Sequence, residues 1–549
     1  MSQRNILPLF CLILLFAIPA FSSSHSPPPP PPQPEMLMPA EATAVIKTTS
    51  VDDVTRLLTE FTALVSKEEG MSPEDVMFFL DDMFPPVQEI ALRTSPFLLS
   101  LRMPPVMLQQ EPLATVIFPI ISDIEDIGFF TQDPSTMAWA QDYGCLALST
   151  DPDYIPSETP PALLSSMLDG IVSASLDLNG LFETNRGVIE MGLGSAQMMA
   201  AADTSMAKEV SPEQVEAYVG LARVLIDSLK RMDLAVDLVD RDFNFQAQFT
   251  VAPGGMLDLG PQPDFNRALE LTRLLPADAD FVQASALDQS LSFEYFKEFS
   301  AMSLMNSQPD MTAEQQAAFN EWVENYYLAM MMSNAPYATS VTNDGALAIQ
   351  YVVQVGDPSA ALALVTKVIA GYSQLGLGIA FDRQSDSTIG DVGVSNWSLN
   401  LDSELFENEG ADDDDWMQIM KMMEYIGDEL HACAHDGLLF FSFDRGTEGL
   451  AAMLQQQADG GSPVNAKMAA LAAKSGPACR QTAAGDLSAF VQWIGYAAGV
   501  EVARTEGQIP FSSVITSDGP VGGFELGVNL DGMGKLMAFF EAMEELEEN

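Results

Sequence analysis

Apolar and polar positions alternate most regularly between residues 337 and 372. Tyr337 to Thr342 read as one strand, Asn343-Asp344-Gly345 as a turn, and Leu347, Ile349, Tyr351, Val353 and Val355 as the apolar face of a second strand. Asp357 before Pro358 then predicts a capped helix start, and Leu362, Val365, Ile369 and Tyr372 recur at helical spacing. The same order returns near the end of the chain. Thr516 to Gly519 stand at an offset of 174 (516 − 342) from Thr342 to Gly345, and Asp531 stands at the same offset (531 − 357) from Asp357. Phe524, Leu526 and Val528 supply a strand face, and Leu536, Phe539 and Met543 a helix face. Segments 337–372 and 511–546 are therefore expected to share the order strand, turn, strand, helix.

Elsewhere the patterns switch repeatedly between period two and helical period. Ser50 with Asp53, and Ser72-Pro73-Glu74-Asp75, mark two helix starts in a helical lead-in. Residues 94–160 carry many prolines, with short strand candidates at Leu113 to Ile121 and Tyr143 to Leu148. Phe243, Phe245, Ala247, Phe249 and Val251 alternate with amides and Thr250, which predicts an antiparallel strand with one apolar face. Leu439, Phe441 and Phe443 follow the turn His435-Asp436-Gly437 in the same way. The expected class is α+β: repeated antiparallel hairpin-plus-helix modules packed in layers. The expected divisions are a signal peptide at 1–22, a proline-rich linker at 23–49, an N-terminal region at 50–205, a central domain at 206–335 and a C-terminal domain at 336–549.

Composition narrows the setting. Arg4 precedes an apolar run from Ile6 to Ala17, with Ala20 and Ser22 after it, the pattern of a cleaved secretory signal; no later run is long enough for a membrane span. The following prolines favour an extended spacer. The 549-residue chain holds 77 acidic and 24 basic residues, a net charge of −53. Removal of Arg4 with the signal makes that −54 (23 − 77). Such a field repels nucleic acid and anionic surfaces and favours cations or basic partners.

Candidate chemistry is sparse. His431, Cys433 and His435 alternate, so a strand would place all three on one face, where imidazole and thiolate suit zinc or copper. Competing with this, Cys433 pairs with Cys479 in a disulfide, leaving Cys145 over. Asp412 to Asp415 suit calcium in type, although adjacent carboxylates at a helix start serve equally as caps. The 31 methionines, including Met330-Met331-Met332, point to core filling or to a cavity lined by Met and Phe for an apolar ligand. No nucleophile elbow, phosphate loop, HExxH helix or CxxC pair occurs. The expectation is an exported, periplasmic or extracellular, non-catalytic protein that binds an apolar or peptidic ligand. The alternatives are a structural cell-envelope component and a secreted hydrolase with paired carboxylates.

Overall fold

A computed structural model of the chain describes residues 32–39, 41–65, 94–104, 112–120, 138–151, 153–157, 161–165, 167–202, 212–239, 241–254, 257–258, 262–288, 290, 313–343, 347–372, 379–401, 427–488, 491 and 509–547. The expected signal segment, most of the proline run, the Asp344-Gly345 turn, Asp412 to Asp415 and the expected second lead-in helix lie outside these residues. The chain divides into two units, 1–198 with 222–252, and 199–221 with 253–549. Both are layered α+β structures built on antiparallel sheets.

The first unit opens with a 3-10 turn, Pro34–Leu37, and strand β1, Ala44–Thr48. Helix α1, Val51–Val65, starts where Ser50 accepts a hydrogen bond from the Asp53 amide, a hydroxyl cap with an early carboxylate. Strands β2 (Phe97–Arg102), β3 (Leu113–Pro119), β4 (Ala138–Asp142), β5 (Cys145–Ser149) and β6 (Val172–Asp177) follow. Helices α2 (Leu178–Ala202) and α3 (Pro212–Ser228), of which 199–202 and 212–221 belong to the second unit, then lead to the long hairpin of β7 (Leu229–Val239) and β8 (Asp242–Val251). The sheet runs β4-β5-β3-β2-β1-β6-β7-β8, antiparallel throughout.

This corrects two sequence expectations. Residues 34–39 and 41–48, expected in a linker, are part of the fold, with Leu37, Met38 and Val45 all buried. Leu37 and Met38 pack with Leu98, Ile117, Cys145 and Ala147, and Tyr154 donates its hydroxyl to the Leu37 carbonyl. The β7–β8 hairpin completes the first sheet by pairing with β6 instead of opening a central domain at 206.

The second unit contains helix α4, Phe265–Leu271, capped by Asp264, and strand β9, Phe281–Ser285. Helix α5, Ala313–Met330, a 3-10 turn Met331–Asn334, strands β10 (Tyr337–Asn343) and β11 (Leu347–Gln354), and helix α6 (Pro358–Tyr372) come next. Strands β12 (Ile379–Arg383), β13 (Ser387–Ile389), β14 (Val392–Leu401), β15 (Glu429–His435) and β16 (Leu438–Asp444) follow. Helices α7 (Glu448–Ala458) and α8 (Ala466–Ser475), strands β17 (Cys479–Asp486), β18 (Pro510–Asp518) and β19 (Val521–Asn529), and helix α9 (Leu530–Glu547) complete it. The sheet order is β12-β14-β15-β16-β11-β10-β9-β17-β18-β19, with β13 also paired to β14.

The second unit is three-layered. On one face Ala338, Val352, Cys433 and Phe440 pack against Leu450, Met453 and Leu454 of α7, while Ala284, Ala484 and Val514 meet Ala268 of α4 and Met468 of α8. On the other, Val353, Leu439, Trp397 and Ala432 pack against Ala361, Leu362, Val365 and Ile369 of α6. The sheet is thus buried on both sides, and its strands read as near-continuous apolar runs where both faces are covered.

Eight strands of each unit share one pairing scheme. Tyr143-Gly144 and Asp436-Gly437 both have positive φ at both positions, the two-residue turn that matches strand twist, and they join β4–β5 and β15–β16. Inward from these turns, Ala147, Ile117, Leu98 and Lys47 pair in succession in the first sheet, as Phe440, Val352, Ala338 and Ala284 do in the second. Onward, Lys47 meets Ser173 and then Ala235, and Ala284 meets Thr482 and then Val514. Both walks end in step, at two-residue connections between Val239 and Asp242 and between Asp518 and Val521. Each position of one sheet therefore has a defined counterpart in the other.

The segments 337–372 and 511–546 each contain two paired strands followed by a helix, but not at one constant offset. Asp357 caps α6 by accepting from the Ser359 and Ala360 amides, whereas Asn529, not Asp531, accepts at the start of α9. Asp531 stands inside the first turn, where its charge suits the helix amino end.

One glycine in the second unit tests how tightly these layers close. A Cβ on Gly427 would lie 2.3 Å from the backbone carbonyl carbon of Asp444, and the Gly427 amide donates to the Leu347 carbonyl at 3.2 Å. Neither partner is a side chain that can turn aside. Gly427→Ala is expected to cost about 1–3 kcal/mol, read as a lower urea midpoint; an unchanged midpoint would show that the two strands separate freely there.

Candidate functional site

The floor of the candidate site comes from strands β9, β10, β11 and β16. Gln283, Thr339, Tyr351 and Phe441 are successive cross-strand partners, so they stand in one row on the face that meets α5 and α6. Tyr337 and Val353, paired with each other, form the adjacent row. The roof is Tyr326, Ala329 and Met330 of α5, Met332 of the 3-10 turn, and Val365 and Val368 of α6. Together they line an open cleft of about 480 Å³, within the roughly 300–1,000 Å³ usual for ligand sites. Among the described residues no aspartate, glutamate, lysine, arginine or histidine lines it.

The floor is aromatic with a few polar handles. The Tyr337 and Tyr351 rings lie 5.1 Å apart between centroids, and Tyr351 and Phe441 lie 5.8 Å apart. Gln283 donates from Nε2 to the Tyr337 hydroxyl at 3.3 Å, and the Thr339 hydroxyl donates to the Gln350 carbonyl at 2.8 Å. Burial, and then the neighbouring Tyr337, raise the Tyr351 phenol above its ordinary value, so it remains a neutral donor at physiological pH.

The roof is held rigidly. Trp322 of α5 donates its indole N–H to the Val368 carbonyl of α6 at 3.0 Å and stacks on Tyr326 at 5.0 Å. Gly371 lies directly against this ring: a Cβ there would come within 2.7 Å of Trp322 Cδ1. The absence of a side chain at 371 therefore lets α5 and α6 approach closely enough to close the cavity.

The first sheet supplies an internal comparison. At the counterparts of Gln283, Tyr337, Thr339, Tyr351, Val353 and Phe441 stand Ile46, Phe97, Leu99, Val116, Phe118 and Leu148. Every one is a hydrocarbon. Phe97, Leu99 and Phe118 are buried, with the two rings stacked 6.0 Å apart. The strand scheme itself thus tolerates, and in one case uses, a face with no hydroxyl or amide; the second unit places them there with three rings to the first unit's two.

The sequence-predicted metal residues fall elsewhere. His431, Cys433 and His435 do alternate along β15, toward the face that packs on α7, but that face is core. Cys433 is fully buried, and burial pushes its thiol up to about 12, which disfavours the thiolate a metal needs. His431 is buried with Nδ1 at 2.8 Å from Asn396 Oδ1. Asn396 donates its amide to the Ser385 carbonyl and Ser387 hydroxyl, so its oxygen faces the ring and Nδ1 is the protonated nitrogen. Nε2 lies 3.2 Å from Glu429 Oε2 without the alignment of a hydrogen bond. His435 sits beside Asp436 at the turn. Among the described residues no three His, Cys, Asp or Glu side chains converge for zinc, copper or calcium.

The expected Cys433–Cys479 bridge is not formed. Cys145, Cys433 and Cys479 are all free and buried, and the latter two lie in separate core clusters, one under α7 and one under α4 and α8. Proximity along the chain had suggested the pair, but β15 and β17 are separated in the sheet by four strands, β16, β11, β10 and β9. A second cleft, of about 600 Å³ between α4 and α8, is lined by Asp264 and Arg480. Those charges serve the fold: Asp264 caps α4, and Arg480 Nη1 donates to the carbonyls of Pro477 and Cys479.

Spacing could have found Met330, Met332, Tyr337, Tyr351, Val353, Val365 and Phe441, all on apolar stripes in the sequence. Gln283 and Thr339 could not be found that way, because only the strand register brings them beside the tyrosines. Among the described residues no helix is long and apolar enough to cross a membrane. No protein-family model, curated protein or solved structure matches the chain.

Proposed function

We propose that this is an exported binding protein whose second unit takes an apolar ligand between sheet and helices, and that it is not an enzyme. The supporting observation is the contrast between corresponding sheet faces: only hydrocarbon side chains in the first unit, two of them phenylalanines, and in the second an open cleft of about 480 Å³ whose floor adds an amide and hydroxyls to its rings. An apolar lining with a few oriented polar groups is the usual composition of a small-molecule site. The secretory pattern at the amino end and the net charge of −53 fit a soluble carrier outside the cytoplasm.

Native mass spectrometry of the full secreted chain, with solvent extraction of the same sample, tests this reading. The expected result is a bound mass that extraction removes, and saturable one-to-one uptake of dodecanol by the extracted protein. A chain that carries nothing and takes up no dodecanol would overturn the proposal.

A further inference from the structure

We infer that the ligand of this cavity carries a cationic ammonium head on an apolar body, an inference that rests on the cavity being a ligand site. An anionic head is disfavoured by the lining, which among the described residues offers no lysine, arginine or histidine to pair with it; a carboxylate or phosphate there would be desolvated without compensation. A cation meets a different surface. Tyr337, Tyr351 and Phe441 present neighbouring rings along the floor, with centroid separations of 5.1 and 5.8 Å. The face of an aromatic ring is the negative end of its quadrupole, and an ammonium within about 6 Å of the centroid is attracted to it. Tyr326, 41% exposed, adds a ring where the roof meets solvent. The thioethers of Met330 and Met332 add polarizable contacts for the apolar body.

Two further observations separate a cation from a neutral head. Val116 and Leu148 hold the positions of Tyr351 and Phe441 in the first sheet, so these rings are not demanded by the strand scheme and instead add π surface at the cavity. The protein's net charge of −53 also raises the local concentration of cations and lowers that of anions. That long-range part is screened over about 8–10 Å in physiological salt, whereas direct contact with the rings is not.

Calorimetric titration of the full chain with three probes of one chain length, dodecyltrimethylammonium, dodecanol and dodecanoate, each below its micelle concentration, decides the matter. At physiological salt the ammonium probe should bind one-to-one and about 5–30-fold more tightly than dodecanol, the range of desolvated cation–π contacts, and dodecanoate should not saturate. The preference should survive in part at high salt, which suppresses adsorption to the acidic surface. In Tyr351→Leu/Phe441→Leu the ratio of ammonium to dodecanol affinity should fall several-fold, whatever the change in dodecanol affinity itself. Dodecanol binding as tightly as the ammonium probe, or a preference unchanged in that variant, would overturn this inference and leave the apolar site standing. Failure of all three probes to saturate would overturn the site itself.

Discussion

Urea should unfold the protein at a much lower concentration at pH 11 than at pH 8. Three free thiols are buried in separate places, and burial pushes Cys145 and Cys433 up to about 12 and Cys479 up to about 11, from an ordinary value of 9.0. A group whose value is raised by folding contributes its full stability below the unfolded value. It loses that contribution as pH climbs through the interval to the folded value, because only the unfolded chain releases the proton easily. The window here runs from about pH 9 to pH 11–12. Each thiol can remove at most about 1.4 kcal/mol per pH unit within it, so over two pH units the one thiol of the first unit removes up to about 3 kcal/mol and the two of the second up to about 6, a substantial part of the roughly 5–15 kcal/mol that keeps a domain folded. Burial raises Tyr154 and Tyr351 as well, which steepens the fall at the alkaline end. The check is the urea midpoint between pH 8 and pH 11, beside the variant Cys145→Ala/Cys433→Ala/Cys479→Ala. The variant should start lower, because it loses packing, and then decline more gently. Parallel slopes for the two proteins would mean that the thiols are not what titrates.

The same cysteines show where sequence pattern was informative and where it was not. Strand β8 was legible because Phe243, Phe245, Ala247, Phe249 and Val251 alternate without interruption, and the observed strand spans Asp242–Val251. The start of α6 was legible because Asp357 and Pro358 act locally. Strand β1 was not: its five residues lie between a proline run and a helix cap, with no hairpin turn beside them. Its place between β2 and β6 rests on pairings to Leu101 and Leu176, far along the chain. The fate of His431, Cys433 and His435 has the same origin. Their alternation on a strand was readable, but whether that face would carry a ligand or a core depended on α7 arriving over it.

For the cavity, the register comparison leads to a second large effect. Gln283→Ile/Tyr337→Phe/Thr339→Leu gives the second sheet the residues that the first sheet carries at Ile46, Phe97 and Leu99. The three changes belong together. Tyr337→Phe alone would cost the half-buried Gln283 amide its hydroxyl partner, at about 0.5–1.5 kcal/mol for a lost hydrogen bond; replacing both partners with hydrocarbon removes the pair without that penalty. Thr339 donates to the Gln350 carbonyl, which also accepts within the β10–β11 ladder, so its loss leaves no carbonyl without a donor. The Leu side chain adds volume that projects into the cavity rather than into a packed neighbour, so the usual overpacking cost of about 1–3 kcal/mol should not appear in full. The variant is expected to keep or slightly raise its urea midpoint while its affinity for dodecanol falls at least about tenfold, a change of about 1.4 kcal/mol, because space and hydrogen-bonding groups are removed together. Undiminished uptake by a folded variant would place the ligand elsewhere. A large loss of stability would mean that these polar groups hold the sheet and helices together, and the sister face would then be no guide to what this one is for.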